Sequence, residues 1–165
     1  MTFIIGGARS GKSAHAETLA TALPPPWAYI ATAEAYDEEM RERISLHRSR
    51  RGEGWATIDA PLDLAGALEA LPDNQPVLVD CLTLWLTNHM LADHDLEVEC
   101  RRLAEVLSRP RGPWFVVSNE VGQGIVPDNA LARRFRDAAG RLNQQVAAIA
   151  DTVLLMVAGL PLKVK

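Results

Sequence analysis

Residues 6–13 read Gly6-Gly7-Ala8-Arg9-Ser10-Gly11-Lys12-Ser13, a complete G-x-x-x-x-G-K-[ST] phosphate loop. The apolar run Phe3-Ile4-Ile5 precedes it and a helix-compatible stretch follows. The chain must therefore pass here from a strand through a tight loop into a helix. The chemistry requires this spacing: backbone N–H groups of the glycine loop curl around phosphates, Lys12 reaches the β and γ oxygens, and the Ser13 hydroxyl can ligate magnesium. A helix starting at Lys12 adds the positive end of its dipole. A plain glycine turn between strand and helix would leave these fixed features, met together and in order, unexplained. The loop predicts a handler of nucleotide phosphates.

A chain of 165 residues, 48% of them hydrophobic, has enough material for one well-packed core, and a single domain over residues 1–165 is expected. The net charge of -4 argues against a general nucleic-acid or anionic-membrane surface. Two cysteines, Cys81 and Cys100, stand too far apart for a C-x-x-C pair and suggest neither a disulfide scaffold nor a zinc site. The N-terminus enters strand and phosphate loop almost at once, and no apolar run has the length of a membrane span. A cytoplasmic protein without membrane insertion is expected.

Strand-like runs at Thr2 to Ile5, Trp27 to Thr32, Trp55 to Ile58, Val77 to Asp80, Trp114 to Ser118 and Thr152 to Val157 alternate with helical stretches. The helical stretches cover residues 12–22, 35–49, 62–71, 82–108 with a break near Asp93, and 129–150. Such alternation predicts an α/β fold of the P-loop NTPase kind, with a mostly parallel central sheet flanked by helices. Ligand chemistry then belongs at the carboxyl ends of the strands. Those ends read Gly6-Gly7, Thr32, Asp80 and Asn119-Glu120.

Asp80 closes Val77-Leu78-Val79, where a carboxylate can hold magnesium opposite Ser13, directly or through water. Its alternative role is a helix N-cap. In Asp37 to Arg51 a helical reading puts Met40, Ile44 and His47 on one face, with Arg43, Arg50 and Arg51 three or four positions from the histidine. Guanidinium groups bind phosphates in bidentate fashion and disfavour imidazolium, so His47 is a candidate nucleophile. The competing reading is a solvated amphipathic helix whose arginines neutralise its own carboxylates. His15, His89 and His94 show no metal-ligand spacing. The stretch from Val117 to Asn129 leaves a strand, crosses two glycines and a proline, and enters a long helix. It can line a substrate pocket or serve as turn chemistry with Asp128 or Asn129 as N-cap. Arg133, Arg134, Arg136 and Arg141 then form a basic portion of that helix.

Several strings in order resemble one family. They are Ile4 to Ser13, Tyr29-Ile30-Ala31-Thr32-Ala33, Arg43-Ile44-x-x-His47-Arg48, Asp80-Cys81-Leu82-Thr83, Ser118-Asn119-Glu120-Val121-Gly122-x-Gly124-Ile125-Val126-Pro127 and Gly159-Leu160-Pro161-Leu162-Lys163. The family is the bifunctional adenosylcobinamide kinase and adenosylcobinamide-phosphate guanylyltransferase of cobalamin biosynthesis. The resemblance implies phosphorylation of adenosylcobinamide by ATP or GTP, then transfer of GMP from GTP to adenosylcobinamide phosphate, with Mg2+ and within a homotrimer. It implies that His47 carries GMP covalently and that Lys12 acts in catalysis. It also implies nucleotide contacts from Gly6, Gly7, Ala8, Arg9, Ser10, Gly11, Lys12, Ser13, Ala31, Thr32, Ala33, Arg48, Ser49, Arg50, Arg51, Asp59 and Asp80, with Ser13 and Asp80 toward the metal. Some members carry Glu at the two acidic sites, and Asp reaches one methylene less far. A monofunctional small-molecule kinase and a regulatory P-loop ATPase are the alternative readings of the phosphate loop alone.

Overall fold

A computed structural model describes residues 1–34, 38 and 52–165 of the chain. The expected helix over 35–49 falls outside these residues except at Glu38, which is helical. The elements run β1 (Thr2–Gly6), α1 (Lys12–Thr21), β2 (Trp27–Ala31), β3 (Trp55–Asp59), α2 (Leu64–Glu69), β4 (Val77–Asp80), α3 (Leu82–Leu91), α4 (Leu96–Leu107), β5 (Trp114–Asn119), α5 (Ala130–Ile149), β6 (Thr152–Val157) and β7 (Leu160–Lys163). Among the described residues the strands form one sheet in the order β3-β2-β4-β5-β1-β6-β7. All neighbours pair in parallel except β6 with β7.

The central strands read as continuous apolar runs because both faces of the sheet are covered there. Alternation sorts their side chains: Phe3, Val77, Val79, Trp114 and Val116 pack on one face with Leu68, Leu86, Leu103 and Leu142 from the helices. Ile4, Leu78, Phe115 and Val117 point to the other face, where Ala16 and Ala20 of α1 meet them. Small alanines let α1 lie close to β1, β4 and β5, which brings the helix amino end to the sheet's carboxyl edge.

The expected strands and helices that fall on described residues match to within a residue or two at their ends, and the break in the 82–108 stretch falls where Asp93 adopts φ 56°. Asp95 then caps α4, its carboxylate accepting from the N–H of Glu97 at 3.0 Å and of Val98 at 3.3 Å. Asn129 caps α5 by accepting from Ala132 N–H at 2.7 Å. The antiparallel strand β7 was not among the expected strands. Its Pro161 and exposed side chains suit a sheet edge, and a proline within so short a run argues against a strand when the sequence is read alone.

Helix α3 buries polar groups among its apolar side chains. Trp85 Nε1 donates to the Leu62 carbonyl at 2.8 Å, and His89 Nε2 lies 3.0 Å from the same oxygen. A carbonyl only accepts, so His89 bears its proton on Nε2 and its Nδ1 accepts from His94 Nδ1, 2.9 Å away. Burial pulls the His89 imidazole below its ordinary range, outweighing the Leu62 carbonyl and the Glu99 carboxylate, which favour the charged ring; His94 and Arg102 act with burial. The folded chain thus holds His89 neutral while the unfolded ring takes a proton below about pH 6.5. This contribution to stability is intact above that pH and falls away as pH drops toward the lower folded value. Melting temperatures measured between about pH 7.5 and pH 5.5 should fall more steeply for the native chain than for His89→Gln, which does not titrate there.

Candidate active site

Gly6 ends β1 and begins the phosphate loop. A Cβ there would lie 2.6 Å from the Met156 carbonyl oxygen and 2.8 Å from Ser10 Oγ, so the close pairing with β6 requires glycine. Gly11 precedes α1 at φ 95°, and a Cβ on it would stand 3.1 Å from Gly159 Cα in the turn between β6 and β7. The Gly159 N–H also donates to the Ser10 carbonyl at 3.0 Å. The β6–β7 hairpin therefore buttresses the loop from outside.

Lys12 opens α1 and is buried, 7% exposed. Its ammonium donates to the Gly7 carbonyl at 2.6 Å and approaches Ser10 Oγ at 3.5 Å, so it lies folded over the loop it serves. Burial lowers its pKa, with Cys81 and Asp80 pulling in the opposite direction. Asp80 ends β4 and its Oδ2 accepts from the Tyr29 hydroxyl at 2.9 Å. The capping position of α3 is Cys81, which makes no side-chain cap, so the alternative reading of Asp80 as N-cap is not realised. Burial and the Asp80 carboxylate push the Cys81 thiol up to about 11. That keeps it protonated and unsuited to metal or nucleophilic work.

Strand β5 separates the phosphate-loop strand from the Asp80 strand, pairing Gly6 with Asn119 and Asp80 with Val117. Asp80 is thus two strand spacings from β1, about 10 Å, enough for a hydrated metal and a phosphate between them. Asp59 ends the edge strand β3, four spacings or about 19 Å from β1. The sheet brings Asp80 to the loop and leaves Asp59 at the far end of the same edge. Ala31 and Thr32 are buried, and Ala33 is half-buried. The Thr32 hydroxyl donates to the Cys81 carbonyl at 2.7 Å and accepts the Cys81 N–H at 2.8 Å. Of the remaining expected residues, Gly7, Ala8 and Arg9 are exposed on the loop and Ser10 and Ser13 half-buried. His47, Arg48, Ser49, Arg50 and Arg51 lie outside the described residues.

A model of the cobinamide kinase / cobinamide phosphate guanyltransferase proteins matches residues 2–164. The chain belongs to this family. It is 47% identical over 165 residues to the bifunctional adenosylcobalamin biosynthesis protein CobP of Pseudomonas aeruginosa, covering 98% of this chain and 95% of that protein. With the bifunctional adenosylcobalamin biosynthesis protein CobU of Escherichia coli it shares 39% over 181 residues, covering 100% of this chain and 99% of the relative. Solved structures share the fold at low identity. The PH0250 protein of Pyrococcus horikoshii has TM-score 0.55 at 10% identity over 100% of this chain and 85% of that one. The type III secretion ATPase EscN of enteropathogenic E. coli has TM-score 0.57 at 13% identity over 95% of this chain, which spans 42% of EscN.

In this family member the strand-exit residues Thr83, Ser118 and Asn119, already in the strings above, are joined by Asn143, which sequence reasoning passed over. Thr83 Oγ1 accepts the Asn119 N–H at 2.7 Å, Ser118 Oγ donates to Asn143 Oδ1 at 2.7 Å, and Asn143 Nδ2 donates to the Asn119 carbonyl at 3.1 Å. Glu120 N–H donates to the Gly6 carbonyl at 3.0 Å, so the exit of β5 is tied directly to the loop. The signal was present as polar residues on buried helix stripes, since Asn143 shares its face with Ala139, Leu142 and Val146. Beyond this exit the 120–128 loop leaves Ile125 and Val126 exposed, and Arg133 holds its end through the Pro127 and Asp128 carbonyls at 2.9 and 2.6 Å. Gly11→Ala should destabilise the chain by about 1–2 kcal/mol through left-handed strain alone. It should also weaken binding of a fluorescent GTP analogue, because the Gly159 contact forces the helix start to shift; parallel denaturation and titration check both.

Proposed function

We propose that this chain phosphorylates adenosylcobinamide with ATP or GTP and then guanylylates the product, in one catalytic domain over residues 1–165. The observation that carries the reading is the phosphate loop with its buried Lys12 at the carboxyl edge of the sheet, Asp80 one strand beyond β5, in a chain of this family. In the first reaction the aminopropanol hydroxyl attacks the γ phosphorus and ADP or GDP leaves. In the second, the His47 imidazole attacks the α phosphorus of GTP and expels pyrophosphate, giving a phosphoramidate. An oxygen of adenosylcobinamide phosphate then attacks the same phosphorus, returns His47 and forms adenosylcobinamide-GDP.

The loop N–H groups and Lys12 meet the charge on the triphosphate oxygens in both reactions. Displacement of the Lys12 ammonium from the Gly7 carbonyl onto phosphate exchanges one acceptor for a charged one, which favours the bound state. The Ser13 hydroxyl and the Asp80 carboxylate fit Mg2+, a hard cation that takes few protein oxygens beside water and phosphate. When bound, Mg2+ supplies charge neutralisation at the phosphates. Tyr29 fixes the Asp80 carboxylate through one oxygen and so orients the other. The nucleotide reading of Ala31, Thr32, Ala33, Arg48, Ser49, Arg50, Arg51 and Asp59 is retained, with the Thr32 hydroxyl serving to hold the start of α3 through Cys81.

No helix among the described residues is long and apolar enough to cross a membrane. We place the enzyme in the cytoplasm as a homotrimer without nucleic-acid partners. Light scattering should therefore give three times the 18.0 kDa chain mass. For the chemistry, His47→Ala should lose labelling by α-labelled GTP while retaining phosphorylation of adenosylcobinamide. In the native enzyme the protein-bound label should move to product on a chase with adenosylcobinamide phosphate; a label that persists in the variant would sink the assignment.

A further inference from the structure

Asn119 ends β5, the strand that lies between the phosphate-loop strand β1 and the Asp80 strand β4. Its backbone is held without help from its own side chain. The N–H donates to Thr83 Oγ1 at 2.7 Å, the carbonyl accepts from Asn143 Nδ2 at 3.1 Å, and the following N–H, of Glu120, donates to the Gly6 carbonyl at 3.0 Å. Among the described residues the half-buried Asn119 side chain makes no hydrogen bond of its own. A strand-end asparagine commonly turns its amide back on the turn that follows. Here the Glu120 carboxylate serves that turn instead, accepting the Gly122 N–H.

Alternation along β5 sets the direction of the Asn119 side chain. Ser118 faces α3 and α5, where it meets Thr83 Oγ1 at 3.4 Å and Asn143 Oδ1 at 2.7 Å, whereas Val117 packs with Ala16 and Ala20 of α1. Asn119 therefore faces α1, the side on which the phosphate loop folds over the sheet. Its register partner Gly6 points the same way, and a Cβ on Gly6 would stand 2.8 Å from Ser10 Oγ. Lys12 Nζ is 3.5 Å from that same hydroxyl. On the other side Asp80 is bonded to Tyr29, a member of the α1-side cluster, so its carboxylate shares the face too. Asp80 pairs with Val117, two residues short of Asn119, which puts the Asn119 and Asp80 Cα atoms about 8 Å apart. The amide thus borders the space between the loop lysine and the Asp80 carboxylate.

We propose that Asn119 is a further catalytic residue of the kinase reaction, its side-chain amide donating a hydrogen bond to a non-bridging oxygen of the γ phosphoryl group. This inference rests on the reading of the chain as a kinase that holds a triphosphate in the phosphate loop. Loop N–H groups take the α and β phosphates, so the group left between Lys12 and the strand ends is the γ phosphoryl. A neutral amide suits that place, because it donates to phosphate and leaves the loop's positive charge intact, whereas a second carboxylate beside Asp80 would repel the ligand. In the transfer the substrate hydroxyl oxygen bonds to the γ phosphorus as the bond to the β–γ bridging oxygen breaks. ADP keeps the electron pair of that bond and the hydroxyl proton passes to solvent. The Asn119 amide gives up no proton; it steadies charge on the oxygens of the group in flight.

The test uses Asn119→Ala, which removes the amide and keeps the backbone bonds to Thr83 and Asn143, and Asn119→Asp, which keeps the shape and loses the donors. In both variants the Kd of a non-hydrolysable ATP analogue should rise about tenfold or more while the Kd of ADP stays within about twofold. A merely structural role would weaken both ligands together. At saturating substrates kcat for adenosylcobinamide phosphorylation should fall about 100-fold or more. Labelling by α-labelled GTP at saturation should stay within about threefold, because there the γ group departs intact within pyrophosphate. Equal weakening of diphosphate and triphosphate, or unchanged binding of both, would overturn the proposal. If the native chain fails to phosphorylate adenosylcobinamide while the variants still lose their preference for triphosphate, the substrate reading falls and the Asn119 contact stands.

Discussion

The parallel pairing of β5 with β1 on one side and β4 on the other sets the spacing of the groups at the carboxyl edge. It places Asn119 beside Gly6 and leaves about two strand spacings between the phosphate loop and Asp80. Such a gap has room for a phosphate group, whereas adjacent strands would crowd it. The pairing is supported from both faces, by Ala16 and Ala20 of α1 below and by the large apolar side chains of α3, α4 and α5 above. Without those contacts the Lys12 ammonium would have no reason to be buried, and burial is what sensitises it to neighbouring charge.

Around this frame the chain distributes buried polar side chains unevenly. They gather at the ends of β2, β3, β4 and β5, where Thr32, Thr83, Asn88 and Asn143 bind backbone groups that the sheet does not pair and Ser118 holds the Asn143 amide. A buried polar group that satisfies another adds about 1 kcal/mol and costs more than that when its partner is lost. Such networks hold strand exits in one geometry, which is what a site built from several strand ends requires. The hairpin of β6 and β7 adds a further brace through Gly159 against Ser10 and Gly11.

Much of this architecture was legible before any coordinates. Apolar runs without alternation announce strands covered on both faces, the break at Asp93 follows from local chemistry alone, and the cap of α5 was narrowed to Asp128 or Asn129, of which the structure uses Asn129. Strand β7 escaped because a proline inside the short run Leu160-Pro161-Leu162-Lys163 argues against a strand and the run holds no β-branched residue, and its pairing is a tertiary event. Tyr29, Asn88 and Asn143 escaped for a related reason. Each looks like one polar residue on an apolar stripe, and only the partner, 51 residues away for Tyr29 and Asp80, gives it meaning.

The residue string from Gly6 to Ser13 by itself determined that phosphates would be bound between a strand and a helix, because spacing along the backbone is enough to specify a loop of N–H donors with a lysine and a hydroxyl. It also carried the family, through strings spread over nearly the whole chain. Tertiary structure alone decided which carboxylate shares the loop's neighbourhood. Asp59 and Asp80 both end strands, yet strand order places one about 19 Å from β1 and the other about 10 Å. Strand order comes from which faces and edges bury the most apolar surface together, a property of the assembled sheet that no local segment contains.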